Sequence, residues 1–213
     1  MRNHGDSSHH PTHTYSALAE DVELFIKQHK LHKPALIGHS MGAKTVMTVA
    51  LRDRMPISDL IPVDSAPADA ALSSDFPKYM QAMRRIEDSD CTKQSDADKI
   101  LQEYEESLTI RQFLLANLMR RKEDGLQKFR IPVKILSGAL DHVADFPFTD
   151  PDVTRFEGPM LMVRGTQSQY VADEMLPIVG RFFPNFQLAD IDAGHWVIAE
   201  KPKEFKDGES FMA

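Results

Sequence analysis

Cysteine is almost absent from this sequence, since Cys91 is the only one in 213 residues. An intramolecular disulfide is therefore excluded, and a reducing compartment is permitted. No apolar run approaches the roughly 20 residues that a membrane-spanning helix needs, so we predict no transmembrane segment. The first residues show neither the apolar core of a signal peptide nor an Arg-rich amphipathic stretch, so we expect no targeting segment in the sequence as written.

Positive charge is also in the minority. The 25 Lys and Arg residues are outnumbered by 32 Asp and Glu, which gives a formal net charge of -7 at pH 7. Proteins that bind nucleic acids cluster Lys and Arg against the phosphates, and this sequence has no basic stripe. We therefore expect no nucleic-acid partner. The 42% apolar and 27% charged residues are typical of a globular protein, and the length suits one domain.

What the sequence does contain is a glycine-flanked serine between two apolar segments. The motif Gly38-His39-Ser40-Met41-Gly42 follows the short apolar run 34–37 and precedes a helical pattern. A strand, this motif and a helix in succession are typical of a nucleophile elbow. We expect a Cβ at Gly38 or Gly42 to collide across the turn, and the N–H of Met41 to point at an oxyanion. A glycine-rich turn with a solvated serine is the alternative.

The order of the predicted elements indicates a mostly parallel α/β sheet. A helical pattern covers Tyr15 to Gln28, and apolar strands are predicted up to the elbow, over Ile57 to Asp64, over Pro159 to Gly165 and over Phe186 to Asp192. A helix over Tyr170 to Phe183, in two pieces because of Pro177, separates the last two strands. Helical patterns between Phe76 and Arg121 predict an insertion that continues irregularly to Pro151. We therefore expect a single domain, 1–213, with a core over 15–67 and 157–205 and a helical cap over 68–156.

Three segments depart from this alternation. Pro62 has no N–H to donate, so we expect the strand around it to start late or its ladder to be locally broken. Residues 1–14 are polar and rich in histidine, and we predict a solvated loop there in preference to a metal site. The residues after Phe205 are too polar and too few for the helix that usually covers such a sheet.

A histidine directly follows the last predicted strand, in Ala193-Gly194-His195-Trp196. This is the place of the base in a Ser, acid, His chain order, so we predict that His195 is catalytic. A structural role, which is usual for a lone histidine, is the alternative.

The elbow, the segment Val63-Asp64-Ser65-Ala66-Pro67 and the segment around His195 together resemble the α/β-hydrolases. Two further segments narrow the resemblance: Arg2-Asn3-His4-Gly5-Asp6-Ser7, and 136–148 with its Asp145-Phe146-Pro147-Phe148. They are similar to the mitochondrial abhydrolase domain-containing protein 11 family and its fungal relatives, which include ethanol acetyltransferases. The resemblance covers residues 2 to about 205. It implies an α/β-hydrolase fold and a mitochondrial location. Without the resemblance, the expected location is cytoplasmic.

The resemblance also bears on the acid of the triad. In many α/β-hydrolases the acid follows the strand that ends here at Gly165, but no carboxylate occurs there before Asp173. In the resembled family the acid follows the strand after the nucleophile, and that position is Asp64. A strand-terminating role for Asp64 is the alternative, and Asp173 and Asp141 are weaker candidates.

These residues predict a serine hydrolase that acts on carboxylic esters or thioesters through Ser40, Asp64 and His195. Water as acyl acceptor would make the protein an esterase or thioesterase, and an alcohol would make it an acyltransferase. The expected partner is a small acyl ester or thioester, and no metal or dissociable cofactor is implied. The sequence does not indicate an oligomeric state.

A second hypothesis belongs to a different class. The resemblance implies that the early strands, and the loop with the second oxyanion donor, precede the segment that begins at Arg2. The chain as given starts there, which predicts an N-terminally truncated fold. Loss of one oxyanion donor costs roughly 3 to 4 kcal/mol in a characterised protease. The alternative is therefore a catalytically inactive remnant with at most a ligand- or partner-binding role.

Overall fold

The computed structural model of the chain describes residues 1–69 and 75–209. The chain folds into two compact units. The first unit comprises Met1–Thr14 and Ala71–Ala144, and the second comprises Tyr15–Ala70 and Asp145–Ala213. In chain order the elements are α1 (Tyr15–Gln28), β1 (Leu36–His39), α2 (Met41–Arg52), β2 (Leu60–Val63), α3 (Asp75–Glu87), α4 (Gln94–Gln102), α5 (Leu108–Leu115), β3 (Leu118–Arg120), β4 (Gln127–Phe129), α6 (Val133–Ser137), α7 (Leu140–Ala144), β5 (Met160–Gly165), a 3-10 turn (Asp173–Met175), α8 (Leu176–Phe182), β6 (Phe186–Ile191), α9 (Val197–Glu200) and α10 (Pro202–Glu209).

A four-stranded parallel sheet forms the centre of the second unit, in the order β1-β2-β5-β6. Successive side chains of β5 point to opposite faces, as strand geometry requires. Met160 and Met162 pack into the core shared with α2, whereas Leu161 and Val163 pack into a second core with β6 and α9. The central strands β2 and β5 are thus buried on both faces, which explains why they read as continuous apolar runs.

The predicted elements of this unit occur in the structure, with shifted ends. The helix over Tyr15–Gln28 is confirmed at both ends, and each strand lies within or beside its predicted run. The helix before β6 forms in two pieces, the 3-10 turn and α8, and Pro177 lies in the first turn of α8, where it removes no helical hydrogen bond. Among the described strands, β1 and β6 lie at the two edges of this sheet, and Ile37 on β1 is 51% exposed.

The predicted break at Pro62 is confirmed. On β2 the N–H of Leu60 donates to Pro159 O at 3.1 Å, and the N–H of Asp64, just beyond the strand, donates to Val163 O at 2.8 Å. By alternation, the donor between them would be that of Pro62, which has none. The ladder between β2 and β5 therefore lacks a rung, and registered pairs occur only on either side of it.

The first unit is mainly helical. Its core is formed by α3, α4, α5, β4 and α6, and β3 and β4 pair as a two-stranded antiparallel hairpin. The predicted helical patterns between Phe76 and Arg121 overlap α3, α4 and α5, although the end of this stretch forms β3. The expectation of irregular structure over 129–151 is wrong in part, because α6 and α7 occur there. Helices of five residues are too short to show a helical period in the sequence.

Residues 1–14 form a mostly exposed loop, as predicted, with two buried exceptions, whereas the prediction for the residues after Phe205 is wrong. Asn3 and His13 are buried, and the Asn3 side chain donates to His10 O at 3.0 Å and accepts from His10 N–H at 2.7 Å. The polar segment after Phe205 continues a helix, α10, because Phe205 itself packs against the core of the second unit. Residues 210–213 of that segment lie outside the described residues.

Across residues 1–69 and 75–209, no helix combines the length and apolarity of a membrane span.

Candidate active site

The three predicted triad residues all follow strands of the parallel sheet. Ser40 comes directly after β1, Asp64 directly after β2, and His195 lies in the loop after β6. The carboxyl ends of parallel strands share one edge of a sheet, which is the common location of functional sites in such folds. The topology therefore brings residues that are far apart in sequence to the same edge.

The backbone at Ser40 is strained. Its φ of 56° and ψ of -116° lie in the left-handed half of the conformational map, at a cost of about 1–3 kcal/mol for a non-glycine residue. Hydrogen bonds on both sides hold this conformation. Ser40 N–H donates to Val63 O at 2.9 Å, and Ser40 O accepts from Ala43 N–H at 2.9 Å. The serine is thus fixed between β2 and the first turn of α2.

The two glycines of the motif differ in the space available to a side chain. A Cβ on Gly38 would lie 2.2 Å from Gly42 O, so only glycine permits β1 to approach the start of α2 this closely. A Cβ on Gly42 would meet nothing within 4 Å. The expected collision is therefore confirmed for Gly38 and wrong for Gly42, because the close approach involves the side-chain position of one glycine and the backbone of the other.

The residues on either side of Ser40 also belong to the site. Met41 is the first residue of α2, so its N–H has no acceptor within the helix and lies at the positive end of the helix dipole. His39 ends β1, and its Nε2 lies 2.7 Å from the backbone oxygen of His195. The elbow thus brings two polar groups besides the serine hydroxyl to the carboxyl edge of the sheet.

A hydrogen-bond chain links the three side chains. His195 Nε2 lies 2.9 Å from Ser40 Oγ, and His195 Nδ1 lies 2.7 Å from Asp64 Oδ2. The Asp64 side chain is fully buried and that of His195 is 17% exposed. An ionised carboxylate can only accept, so Nδ1 carries the hydrogen of the neutral imidazole and Nε2 is left to accept from the serine hydroxyl.

The other candidate acids lie elsewhere. Asp173 is 81% exposed and forms an ion pair with Arg164. Asp141 belongs to the first unit, where it lies in the first turn of the short helix α7. Within the described residues, no group of three or more His, Cys, Asp or Glu side chains is arranged to hold a metal ion.

Two residues that the sequence did not single out support the site. Gly165 N–H donates to Asp64 Oδ1 at 3.0 Å, and a Cβ on Gly165 would lie 2.3 Å from Gly194 O. The Tyr170 ring packs against the His195 ring with centroids 4.3 Å apart, and Tyr170 O accepts from Ala66 N–H. A glycine at the end of the strand beside Asp64 was the available signal for Gly165. Tyr170 had no such signal.

The sequence profile of the alpha/beta hydrolase fold matches residues 1–202. The chain belongs to the alpha/beta hydrolase family. The fission yeast abhydrolase domain-containing protein C22H12.03 is 39% identical to this alpha/beta hydrolase over 208 residues, which is 97% of the chain and 77% of the relative. A solved structure described as a marine microorganism esterase superposes on this chain with a TM-score of 0.92 at 30% sequence identity. The match covers 100% of this chain and 82% of the esterase chain.

Other relatives are named for reactions at esters. A probable alcohol acetyltransferase of Saccharomyces cerevisiae is 39% identical and matches 96% of the chain, and an sn-1-specific diacylglycerol lipase ABHD11 of Xenopus laevis is 38% identical over 96%. This alpha/beta hydrolase spans 64% and 65% of the lengths of these two relatives. The relatives of this chain thus include proteins named as an esterase, a lipase and an acyltransferase.

Proposed function

We propose that this chain is a serine hydrolase that acts on carboxylic esters or thioesters, with Ser40 as nucleophile, His195 as base and Asp64 as the acid of the triad. The observation that supports it is the hydrogen-bond chain from Ser40 Oγ through the His195 ring to the buried Asp64 carboxylate. A nucleophile, a base within hydrogen-bond reach and a third group that orients the base are the arrangement that activates a serine.

In the acylation step, Ser40 Oγ attacks the substrate carbonyl carbon while its proton passes to His195 Nε2. The new Oγ–C bond places negative charge on the carbonyl oxygen, and the Met41 N–H donates to this oxyanion. The tetrahedral intermediate then collapses. The bond to the leaving alcohol or thiol breaks, the leaving group takes the proton from Nε2, and an acyl ester remains on Ser40.

Asp64 contributes by holding the ring of His195. Its carboxylate accepts from Nδ1, which keeps Nε2 directed at Ser40 and stabilises the imidazolium that forms in each step. Gly165 N–H in turn fixes the Asp64 carboxylate. Deacylation repeats the sequence with water, which loses a proton to Nε2 as it attacks the acyl carbon.

A second activity follows if an alcohol replaces that water. The product is then a new ester, and the protein acts as an acyltransferase. The relationship to a probable alcohol acetyltransferase at 39% identity favours this variant of the same mechanism. The ratio of ethyl acetate to acetate formed from p-nitrophenyl acetate in ethanol and water would separate transfer from hydrolysis.

The decisive experiment is labelling of the purified chain with a fluorophosphonate, with mass-spectrometric localisation of the adduct. We expect one adduct on Ser40 of the wild type and none on Ser40→Ala, whereas Ser58→Ala, at the opposite end of β2, should label like wild type. Asp64→Asn should label and turn over about 10³- to 10⁴-fold more slowly, because the productive tautomer is lost. A folded wild-type chain that does not label would support the inactive, ligand- or partner-binding alternative.

Two further statements remain proposals. The first is the division into a core over 15–67 and 157–205 and a helical cap over 68–156. The second is a mitochondrial location, which fractionation of cells that express the native gene would test.

A further inference from the structure

The residue before the serine contacts the backbone of the base. His39 Nε2 lies 2.7 Å from the His195 carbonyl oxygen, and the two rings are 4.8 Å apart at an angle of 38°. A carbonyl oxygen can only accept, so Nε2 of His39 must carry a hydrogen. The tautomer of His39 is therefore defined by this contact.

The hydrogen bond from His39 joins the end of β1 to the loop that carries His195. His195 lies in a loop after β6, and further bonds hold that loop at Ala193 O and at Gly194 N–H. The bond from His39 is made to the residue whose ring must face Ser40. Because His39 and Ser40 are neighbours at the end of β1, one strand end positions both the nucleophile and the base.

The charge state of His39 affects the stability of the imidazolium that forms on His195. Burial is the largest influence and lowers its pKa, and the neighbouring His195 lowers it further. The bond to the His195 carbonyl and the charge of Asp64 act in the opposite direction and do not outweigh burial. A neutral His39 does not repel the imidazolium that forms on His195, whereas a cation 4.8 Å away would disfavour it.

We propose that His39 is a positioning residue for His195: its Nε2–H holds the His195 carbonyl and thereby sets the distance from the base to Ser40. This inference rests on the proposed function, because it assigns His39 a part in the same reaction. It goes beyond that function because the assignment uses a backbone contact that the triad itself does not need.

Two variants test the contact through catalysis. His39→Gln keeps an amide donor at a similar reach and cannot become charged, whereas His39→Leu removes the donor. We expect kcat of His39→Leu to fall about 10- to 100-fold, because small misplacements of a catalytic group have effects of this size. KM should change little, and His39→Gln should recover most of the rate. Wild-type kcat in His39→Leu, or a His39→Gln variant as slow as His39→Leu, would overturn the inference.

The acidic limb of the pH–rate profile tests the charge state of His39. If His39 stays neutral over the pH range of activity, His39→Gln and wild type will lose activity at the same pH. A limb that moves to lower pH in His39→Gln would mean that protonation of His39 had limited the wild type, and would contradict the neutral state.

A measurement without turnover separates this inference from the proposed function. Long-range ¹H–¹⁵N spectra of the imidazoles report tautomers directly, and the signals of His39 are those lost in His39→Gln. An Nε2–H tautomer at neutral pH supports the contact, and an Nδ1–H tautomer overturns it. Failure of the wild type to label at Ser40 would instead reject the proposed function, whatever the tautomer.

Discussion

At the residue scale, Ser40 and Asp64 share a backbone feature that is uncommon outside glycine. Both have positive φ angles, 56° and 51°, and both directly follow a strand of the sheet. The strain is held by hydrogen bonds from Ser40 to β2 and from Asp64 to β5. The conformation turns each side chain out of its strand direction, so that Ser40 and Asp64 reach the two ring nitrogens of His195.

Substitution of Gly165 tests how its neighbours Asp64 and Gly194 keep His195 in place. We expect Gly165→Ala to lower kcat by about 100-fold, because its methyl group would lie 2.3 Å from Gly194 O and push the loop that carries His195 away from Ser40. The measurement is kcat with thermal unfolding of the same preparation. Gly138→Ala is the matched control, since a Cβ there meets only ordinary contacts at 3.5 Å or more. Equal rates for the two variants would contradict this role for Gly165.

The sequence predicts these residues unevenly, for a physical reason. Ser40 and His195 lie in local motifs whose glycines and neighbouring strands are visible in the chain. Asp64 depended on a resemblance, because a carboxylate after a strand has many uses. Gly165 and Tyr170 act through contacts with residues of other strands and loops, and such contacts depend on sheet order, which no local pattern contains.

At the scale of elements, Arg111 joins α4 to α5. Its side chain is 10% exposed, its Nε donates to Asp98 Oδ1 at 2.9 Å, and its Nη1 donates to the carbonyls of Glu105 and Glu106. These bonds satisfy acceptors at the turn between the helices. Arg111 also holds the pKa of the Asp98 carboxyl below its usual value.

We expect Arg111→Met to destabilise the α4–α5 pair by about 2 kcal/mol, because it leaves two carbonyls and a partly buried carboxylate without their donor. The lowered pKa of Asp98 means that its contribution is present above the pKa of an unfolded aspartate and is lost as the pH falls through the folded value. Amide hydrogen exchange over residues 94–115 measures the effect. Lys99→Met, in an exposed pair with Asp96, should change it by less than about 0.5 kcal/mol.

Element length decided which elements could be predicted. The helices α1 to α5 and the four parallel strands are long or apolar enough to show a period. The hairpin β3-β4 and the helices α6 and α7 have three to five residues each, and so show none. The polar composition after Phe205 predicts no helix, yet α10 forms there, and its Phe205 packs against the sheet core.

At the scale of the whole molecule, the second unit buries a lysine in the helix that starts at the nucleophile. Lys44 is 3% exposed, its Nζ donates to Asp145 O at 3.0 Å, and it lies 5.7 Å from the centre of the Tyr15 ring. The Asp69 carboxyl is close by, and the hydrogen bond that it shares with the Asp145 carboxyl raises its own pKa. The charge of this lysine is thus held inside the fold.

Burial lowers the pKa of Lys44 to about 8, although Asp69 and Asp145 act in the opposite direction. Between pH 8 and the ordinary value of 10.5, the unfolded state binds more protons than the folded one, so stability should rise with pH. The full change corresponds to about 3 kcal/mol. In Lys44→Met this rise should be absent, and the difference between the two proteins cancels the titration of other groups. Urea unfolding at both ends of that pH range measures it, and parallel pH dependences for wild type and Lys44→Met would contradict the lowered pKa of Lys44.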